Sequence, residues 1–264
     1  MKIVLTGATS GIGAAAARRL HARGAHLIPV GRSPERAAAL SAELGIPCHT
    51  VGFTHLASFR ALAATLLESH PGIDVLAANA GGIPRSGAKT GDGLEPVFQA
   101  NALSPWLLAT LLAPSLRGGR VVSTSSRSHT TATLPTPLTG IAHDTTGLGA
   151  HAVYARAKLA GALLLRELGR REPDITVTDF HPGLVASGFG RYLGSASALL
   201  KLLATPFLDS PTTAATRLIH LATTTEDVNG HYHVKNRRAP GSPLLHDHTT
   251  ATALWNLATR LTGG

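Results

Sequence analysis

Tyr154 and Lys158 stand four residues apart in the run Tyr154-Ala155-Arg156-Ala157-Lys158, a spacing that puts both on one face of a helix. An ammonium beside a phenol favours the phenolate and draws a pKa of about 10 toward neutrality, which makes a tyrosine a usable proton donor or acceptor. The same spacing also occurs on ordinary surface helices. Thr6-Gly7-Ala8-Thr9-Ser10-Gly11-Ile12-Gly13 lies between an apolar run and an Ala-rich one. Glycines there let backbone approach a pyrophosphate, and the N-terminus of a following helix favours negative charge. A plain strand-to-helix turn reads the same way. Ser123-Thr124-Ser125-Ser126 ends an apolar run with hydroxyls that could bond a substrate oxygen, or simply with a polar strand end. Asn79-Ala80-Gly81 permits a close ligand approach or a turn. Asn101 is a poor choice inside a helical pattern, so it marks either a bulge that turns its groups inward or a solvent-facing side chain.

These residues need elements to hold them. Apolar, β-branched runs at 2–6, 26–30, 47–51, 73–78, 120–125 and 175–180 read as strands, with a seventh candidate at 231–235. Helical patterns fall at 12–23, from Ser33-Pro34 to about Gly45, at 56–68, at 93–116 with breaks at Pro96 and Pro105, and at 153–171. This alternation predicts an α/β Rossmann fold, a doubly wound parallel sheet of about seven strands with helices on both faces. It is expected to form a single domain over 1–264. Residues 127–150 read as a long loop, and 183–210 as a segment overhanging the carboxyl rim of the sheet, where ligands of such folds bind.

Composition narrows the classes. The chain has 264 residues, 44% hydrophobic and 15% charged, enough to bury a sizeable core. One Cys excludes a disulfide framework and a Cys-based zinc site. The net charge of +9 comes from scattered Arg and Lys, and aromatic residues are only 4%, so no nucleic-acid partner is expected. There is no signal peptide pattern and no run of about 18 apolar residues, so stable membrane insertion is not expected and the compartment is read as cytoplasmic. The pairs His231/His233 and His246/His248 lack a carboxylate cluster, and no metal is expected.

In this order and on these elements, the motifs resemble the short-chain dehydrogenase/reductase family over essentially the whole chain. The matching residues are Thr6 to Gly13, Asn79-Ala80-Gly81, the strand-five Ser, Tyr154 with Lys158, and Pro182-Gly183. The run Asp92-Gly93-Leu94-Glu95 with Phe98, Asn101 and Leu103 is similar to the retinol dehydrogenase-like branch. So are Val122 to His129, Lys158-Leu159-Ala160, His181-Pro182-Gly183 and the closing stretch from Trp255 to Gly263. The resemblance implies a catalytic tetrad of Asn101, Ser126, Tyr154 and Lys158, with Ser125 the fallback for Ser126. Tyr154 would exchange the proton and Ser126 would position the substrate oxygen. Lys158 would lower the Tyr154 pKa and hold the nicotinamide ribose, and Asn101 would hold a water linking Lys158 to solvent. Cofactor contacts are implied for Gly7, Thr9, Ser10, Gly11, Ile12, Gly13, Arg32, Ser33, Asn79, Ala80, Gly81, Tyr154, Lys158, Pro182, Gly183 and Val185.

At the end of strand two an acidic residue would select NAD; here stand Gly31, Arg32 and Ser33, and Arg32 can pair with a 2′-phosphate. NADP(H) is therefore expected ahead of NAD(H). After strand three the family's Asp-Leu is replaced by His55-Leu56, which alters the adenine contact. Segment 183–210 is rich in Leu and Phe and would act as a substrate lid, giving hydride exchange with a carbonyl or alcohol group of a lipophilic small molecule. Packing on the body or a homo-oligomer contact are the other uses of that segment. A non-catalytic NADP-sensing protein on the same fold is the alternative function. An epimerase or dehydratase is disfavoured by the short chain and the glycine spacing.

Overall fold

The computed structural model describes residues 1–83, 89–185 and 209–263. Strands β1 (Lys2–Thr6), β2 (His26–Gly31), β3 (His49–Thr50), β4 (Val75–Ala78), β5 (Arg120–Thr124), β6 (Thr176–His181), β7 (Tyr232–Val234) and β8 (Arg237–Arg238) join one sheet in the order β3-β2-β1-β4-β5-β6-β7-β8. All neighbouring pairs are parallel except β7 with β8. The expected seven strands thus become eight. The extra strand is two residues long and folds back antiparallel through Lys235 and Asn236, both at positive φ, a hairpin turn that Asn tolerates. Strand order reverses between β1 and β4, which opens a crevice at their carboxyl ends.

Alternation along each strand feeds two cores. Ile3, Leu5, Val75, Ala77, Val122 and Phe180 pack beneath α1 (Gly11–Ala22) and, further along the chain, the helix Pro211–Thr223. Val4, Leu76, Val121 and Val177 face α3 (Leu56–Ser69), which follows α2 (Pro34–Leu44), and the helices Ser104–Leu112 and Ala150–Arg171. Both faces are covered, which is why the strands read as continuous apolar runs.

The stretch expected as one broken helix at 93–116 has a different anatomy. Pro96 opens α4 (Pro96–Phe98), a π-helical turn covers Gln99–Leu103, and α5 is Ser104–Leu112. Glu95 caps α4 by accepting from the Val97 and Phe98 N–H groups. An α-helical Asn101 carbonyl would accept from residue 105, and Pro105 has no N–H to give. The chain widens instead, and Ser104 N–H bonds the Gln99 carbonyl five residues back. The expected loop 127–150 contains a 3₁₀ turn at Arg127–Thr131 and α6 (Gly140–His143) before α7 (Ala150–Arg171); α8 is Pro211–Thr223 and α9 His248–Leu261. Trp255 of α9 meets Trp106 of α5 edge to face at 5.1 Å.

Helix α7 lies close against the π turn at Gly161, where an added Cβ would fall 2.7 Å from the Asn101 carbonyl oxygen and 3.3 Å from the Ala102 Cα. Ala gains about 1 kcal/mol of helix propensity over Gly, but backbone must move to admit it. Gly161→Ala is expected to lower stability by about 1–3 kcal/mol. A urea unfolding midpoint at or above that of the parent would contradict this packing.

Candidate active site

The rim above β1, β4 and β5 is tied together by two threonines. Thr6 Oγ1 accepts from the N–H groups of Asn79 and Ala80 at 3.1 and 3.0 Å, and Asn79 Nδ2 donates to the Thr6 carbonyl at 3.1 Å. Thr124 Oγ1 donates to Asn79 Oδ1 at 3.1 Å. Asn79-Ala80-Gly81 is therefore held beside the glycine loop rather than free in a turn. Within that loop, a Cβ on Gly13 would lie 2.1 Å from the Gly7 carbonyl oxygen, so only glycine lets α1 start so close to β1.

The opening of α1 has no side-chain cap: Ser10 makes no cap bond, and the first turn holds no acidic residue. Backbone donors at the positive end of a twelve-residue helix fit the diphosphate of a dinucleotide. Beside it, Arg32 is exposed at the end of β2. Ser33 caps α2, and its hydroxyl donates to Glu35 at 2.6 Å, which holds that carboxyl below its ordinary range. Pairing with a ligand at Ser33 competes with this bond, a detail that the sequence motif did not reveal.

Helix α7 brings Tyr154 and Lys158 to the same rim. The Tyr154 side chain is buried, with the Ser126 hydroxyl near enough to favour its phenolate in part. Ser125 turns away: its hydroxyl is 3.4 Å from His129 Nδ1. His129, fully buried, also bonds the Ser126 carbonyl through Nδ1 and stacks edge-on to Tyr232 at 4.6 Å. Lys158 Nζ donates to the Thr124 carbonyl at 2.9 Å and sits 5.7 Å from the Tyr154 ring centroid. Asn101 is buried in the π turn, not facing solvent; Oδ1 accepts from Gly82 N–H at 3.0 Å, and Nδ2 donates to the Gly82 and Val97 carbonyls. Both amide protons are spent on protein, so only a lone pair of Oδ1 is left for the water expected there.

The expected acidification of Tyr154 is corrected. Burial pushes the phenol above its ordinary value of 10.0, and the Ser126 hydroxyl only partly offsets this. Lys158 does not reverse it, because its ammonium is directed at Thr124. Burial also draws Lys158 from 10.5 down to about 8. The phenol thus keeps its proton at neutral pH.

Pro182 and Gly183 follow β6 on the same rim. Arg217 of α8 donates to the Pro182 carbonyl and grips Asp209 bidentately, Nη1 to Oδ2 at 2.7 Å and Nη2 to Oδ1 at 3.1 Å. Val185 bridges to Asp209 as well. No sequence signal pointed to this clasp, since neither residue belongs to a motif. Of the segment expected as a lid, residues 186–208 lie outside the described residues; Leu184, at its start, is 67% exposed. His55 N-caps α3 without a side-chain bond, and Asp92 accepts from the Leu56 N–H at 3.0 Å in its place. Among the described residues no His, Cys, Asp and Glu group could hold a metal, and no helix is long and apolar enough to cross a membrane.

The Lys158 shift has a stability consequence. The folded pKa of about 8 lies below the ordinary 10.5. Between those values the unfolded chain holds the proton and the folded chain does not. This group's contribution to stability therefore rises with pH across that window, by about 3 kcal/mol in all. Lys158→Met removes the buried charge, at a cost of about 1 kcal/mol for the bond lost at Thr124. The variant is expected to melt above the parent at neutral pH, with the gap closing toward pH 10. A melting temperature below the parent's at neutral pH would contradict it.

Comparison with known proteins agrees with this architecture. The family model described as short chain dehydrogenase matches residues 1–136. A protein of Streptomyces sp. (strain C5) named as a daunorubicin C-13 ketoreductase, DnrU, is 35% identical over 99% of this chain and 92% of its own. Human retinol dehydrogenase 13 is 30% identical over 99% of this chain and 84% of its own. A crystal structure of a Mycobacterium paratuberculosis protein superposes with a TM-score of 0.79 at 26% identity, covering 99% of this chain and 93% of that one. The chain belongs to the short-chain dehydrogenase/reductase family of oxidoreductases, in its retinol dehydrogenase-like branch.

Proposed function

We propose that the protein is an NADP(H)-dependent reductase that interconverts a carbonyl and an alcohol on a lipophilic small molecule. The observation that carries this reading is the buried Tyr154 phenol, with Lys158 Nζ 5.7 Å from its ring centroid, at the sheet rim. The lipophilic substrate is supported by the Leu- and Phe-rich sequence of 184–207 and by relatives named for retinol and daunorubicin.

A bound nicotinamide dinucleotide supplies the hydride. Gly7, Thr9, Ser10, Gly11, Ile12 and Gly13 hold its diphosphate through backbone N–H groups, and Asn79, Ala80 and Gly81 border it. Pro182, Gly183 and Val185 line the opposite side of the rim, and Arg217 fixes the Pro182 carbonyl there. Ser126 orients the substrate oxygen, and Tyr154 releases its proton to that oxygen as charge develops on it. Lys158, cationic below about pH 8, stabilises the phenolate left behind and binds ribose hydroxyls. Asn101 keeps Gly82, and with it the Asn79-Ala80-Gly81 wall, against the π turn. Reduction is the direction a protonated phenol serves.

The preference for NADP(H) rests on Arg32, which is exposed where a 2′-phosphate would lie, and on Gly31, which offers no carboxylate to repel one.

Tyr154→Phe is expected to lower NADPH-dependent reduction of a lipophilic ketone by about a hundredfold or more, with NADPH still binding; retained turnover would reject Tyr154 as the acid. Arg32→Ala is expected to raise KM for NADPH about tenfold or more and to leave KM for NADH unchanged. Equal effects on the two would remove the phosphate assignment.

A further inference from the structure

Helices α1 and α8 form one packed pair. Ala16, Ala17 and Leu20 of α1 share a core with Ala215, Leu218 and Ile219 of α8. Arg19 of α1 donates to the Thr212 carbonyl at 3.1 Å and to the Thr216 hydroxyl at 2.6 Å. A close-packed pair of this kind transmits position from one helix to the other. The first helix opens at the glycine loop. The second carries Arg217, only 8% exposed, whose guanidinium bonds Pro182 and Asp209 at the far side of the rim.

Among the described residues, the turn at 182–185 is held by that arginine and its partner. Arg217 Nη1 donates to the Pro182 carbonyl, and the Asp209 N–H donates to the Leu184 carbonyl at 2.7 Å. Val185 and Asp209 form a parallel bridge. The planar fork on the Asp209 carboxylate fixes direction as well as distance. Gly183 sits inside the clasp at φ +99°; a Cβ there would lie 2.0 Å from Asp209 Oδ2 and 2.5 Å from Arg217 Nη1. The left-handed backbone and the closeness of the ion pair each demand glycine. A buried ion pair often adds little net stability; what this one adds is the orientation of a turn.

We propose that Arg217, acting through Asp209, is a positioning residue that holds the 182–185 turn at a set span from the diphosphate cradle and so directs the nicotinamide end of the cofactor. The proposal rests on the reductase reading, in which 182–185 line the cofactor groove. The span is built from packed parts: the glycine loop opens α1, α1 packs on α8, and α8 reaches the turn through Arg217. Without Arg217 the turn keeps its covalent link to β6 and loses its tie to α8. Hydride transfer is sensitive to such a loss, since a misplacement of about 1 Å can cost about a hundredfold in rate. Arg217 and Asp209 exchange no proton in this scheme.

The test uses the full chain in two variants, Arg217→Met and the double change Arg217→Met with Asp209→Asn, the second of which leaves no carboxylate unpaired. Both are expected to lower kcat for NADPH-dependent reduction of a ketone by about tenfold or more. Kd for 2′-phospho-ADP-ribose, which is NADPH without its nicotinamide, is expected to stay at the parent value. In the cofactor-free protein, NMR is expected to show the amide of position 209 exchanging faster with water in both variants. Arg217→Lys keeps the charge without the fork and recovers part of the lost kcat. Unchanged kcat in both variants overturns the proposal. So does an equal loss of kcat and of affinity for 2′-phospho-ADP-ribose, which would make the clasp a general support of the fold. If the parent binds neither NADPH nor 2′-phospho-ADP-ribose, the reductase reading itself fails.

Discussion

A buried ammonium next to a buried phenol is the constraint around which this protein is organised. Lys158 and Tyr154 each lose water, with the ammonium 5.7 Å from the ring centroid. Desolvation disfavours whichever form carries charge, so it lowers the lysine and raises the tyrosine. The ammonium is held by a neutral partner at the carboxyl end of β5, the Thr124 carbonyl. The arrangement costs stability in the resting protein and leaves a proton donor opposite the place where negative charge would develop in a reduction. Such a cost is usual at sites arranged for a transition state and not for the ground state.

The surrounding bonds keep that rim rigid. Thr6 and Thr124 fasten Asn79, the π turn fastens Gly82 through Asn101, and Arg217 fastens Pro182 through its grip on Asp209. The stretch after β4 is thereby tied to the ends of β1 and β5, and the stretch after β6 to α8. A cofactor bound there would meet groups already in position, which reduces the entropy that binding and reaction must overcome.

Much of this was legible in the residues. The alternation of apolar runs marked every long strand, because both faces of a parallel sheet are covered. Asn101 stood out as a misfit inside a helix and lies in a π turn, where the lack of an N–H on Pro105 gives the reason. What was hidden depends on contacts between distant residues. The sign of the Tyr154 shift could not be read from a four-residue spacing, since it is decided by burial and by the direction in which Lys158 points. The Arg217–Asp209 clasp joins residues that belong to no motif. The eighth strand, two residues long, carries too little periodicity to be seen.

The most direct test of the central claim is a pH titration of tyrosine ring carbons by NMR in the cofactor-free protein. The chain has only three tyrosines, and Tyr154→Phe identifies the relevant resonance. The Tyr154 phenol is predicted to stay protonated up to and beyond its ordinary value of 10.0. A phenolate signal from Tyr154 already present near neutral pH would contradict the account.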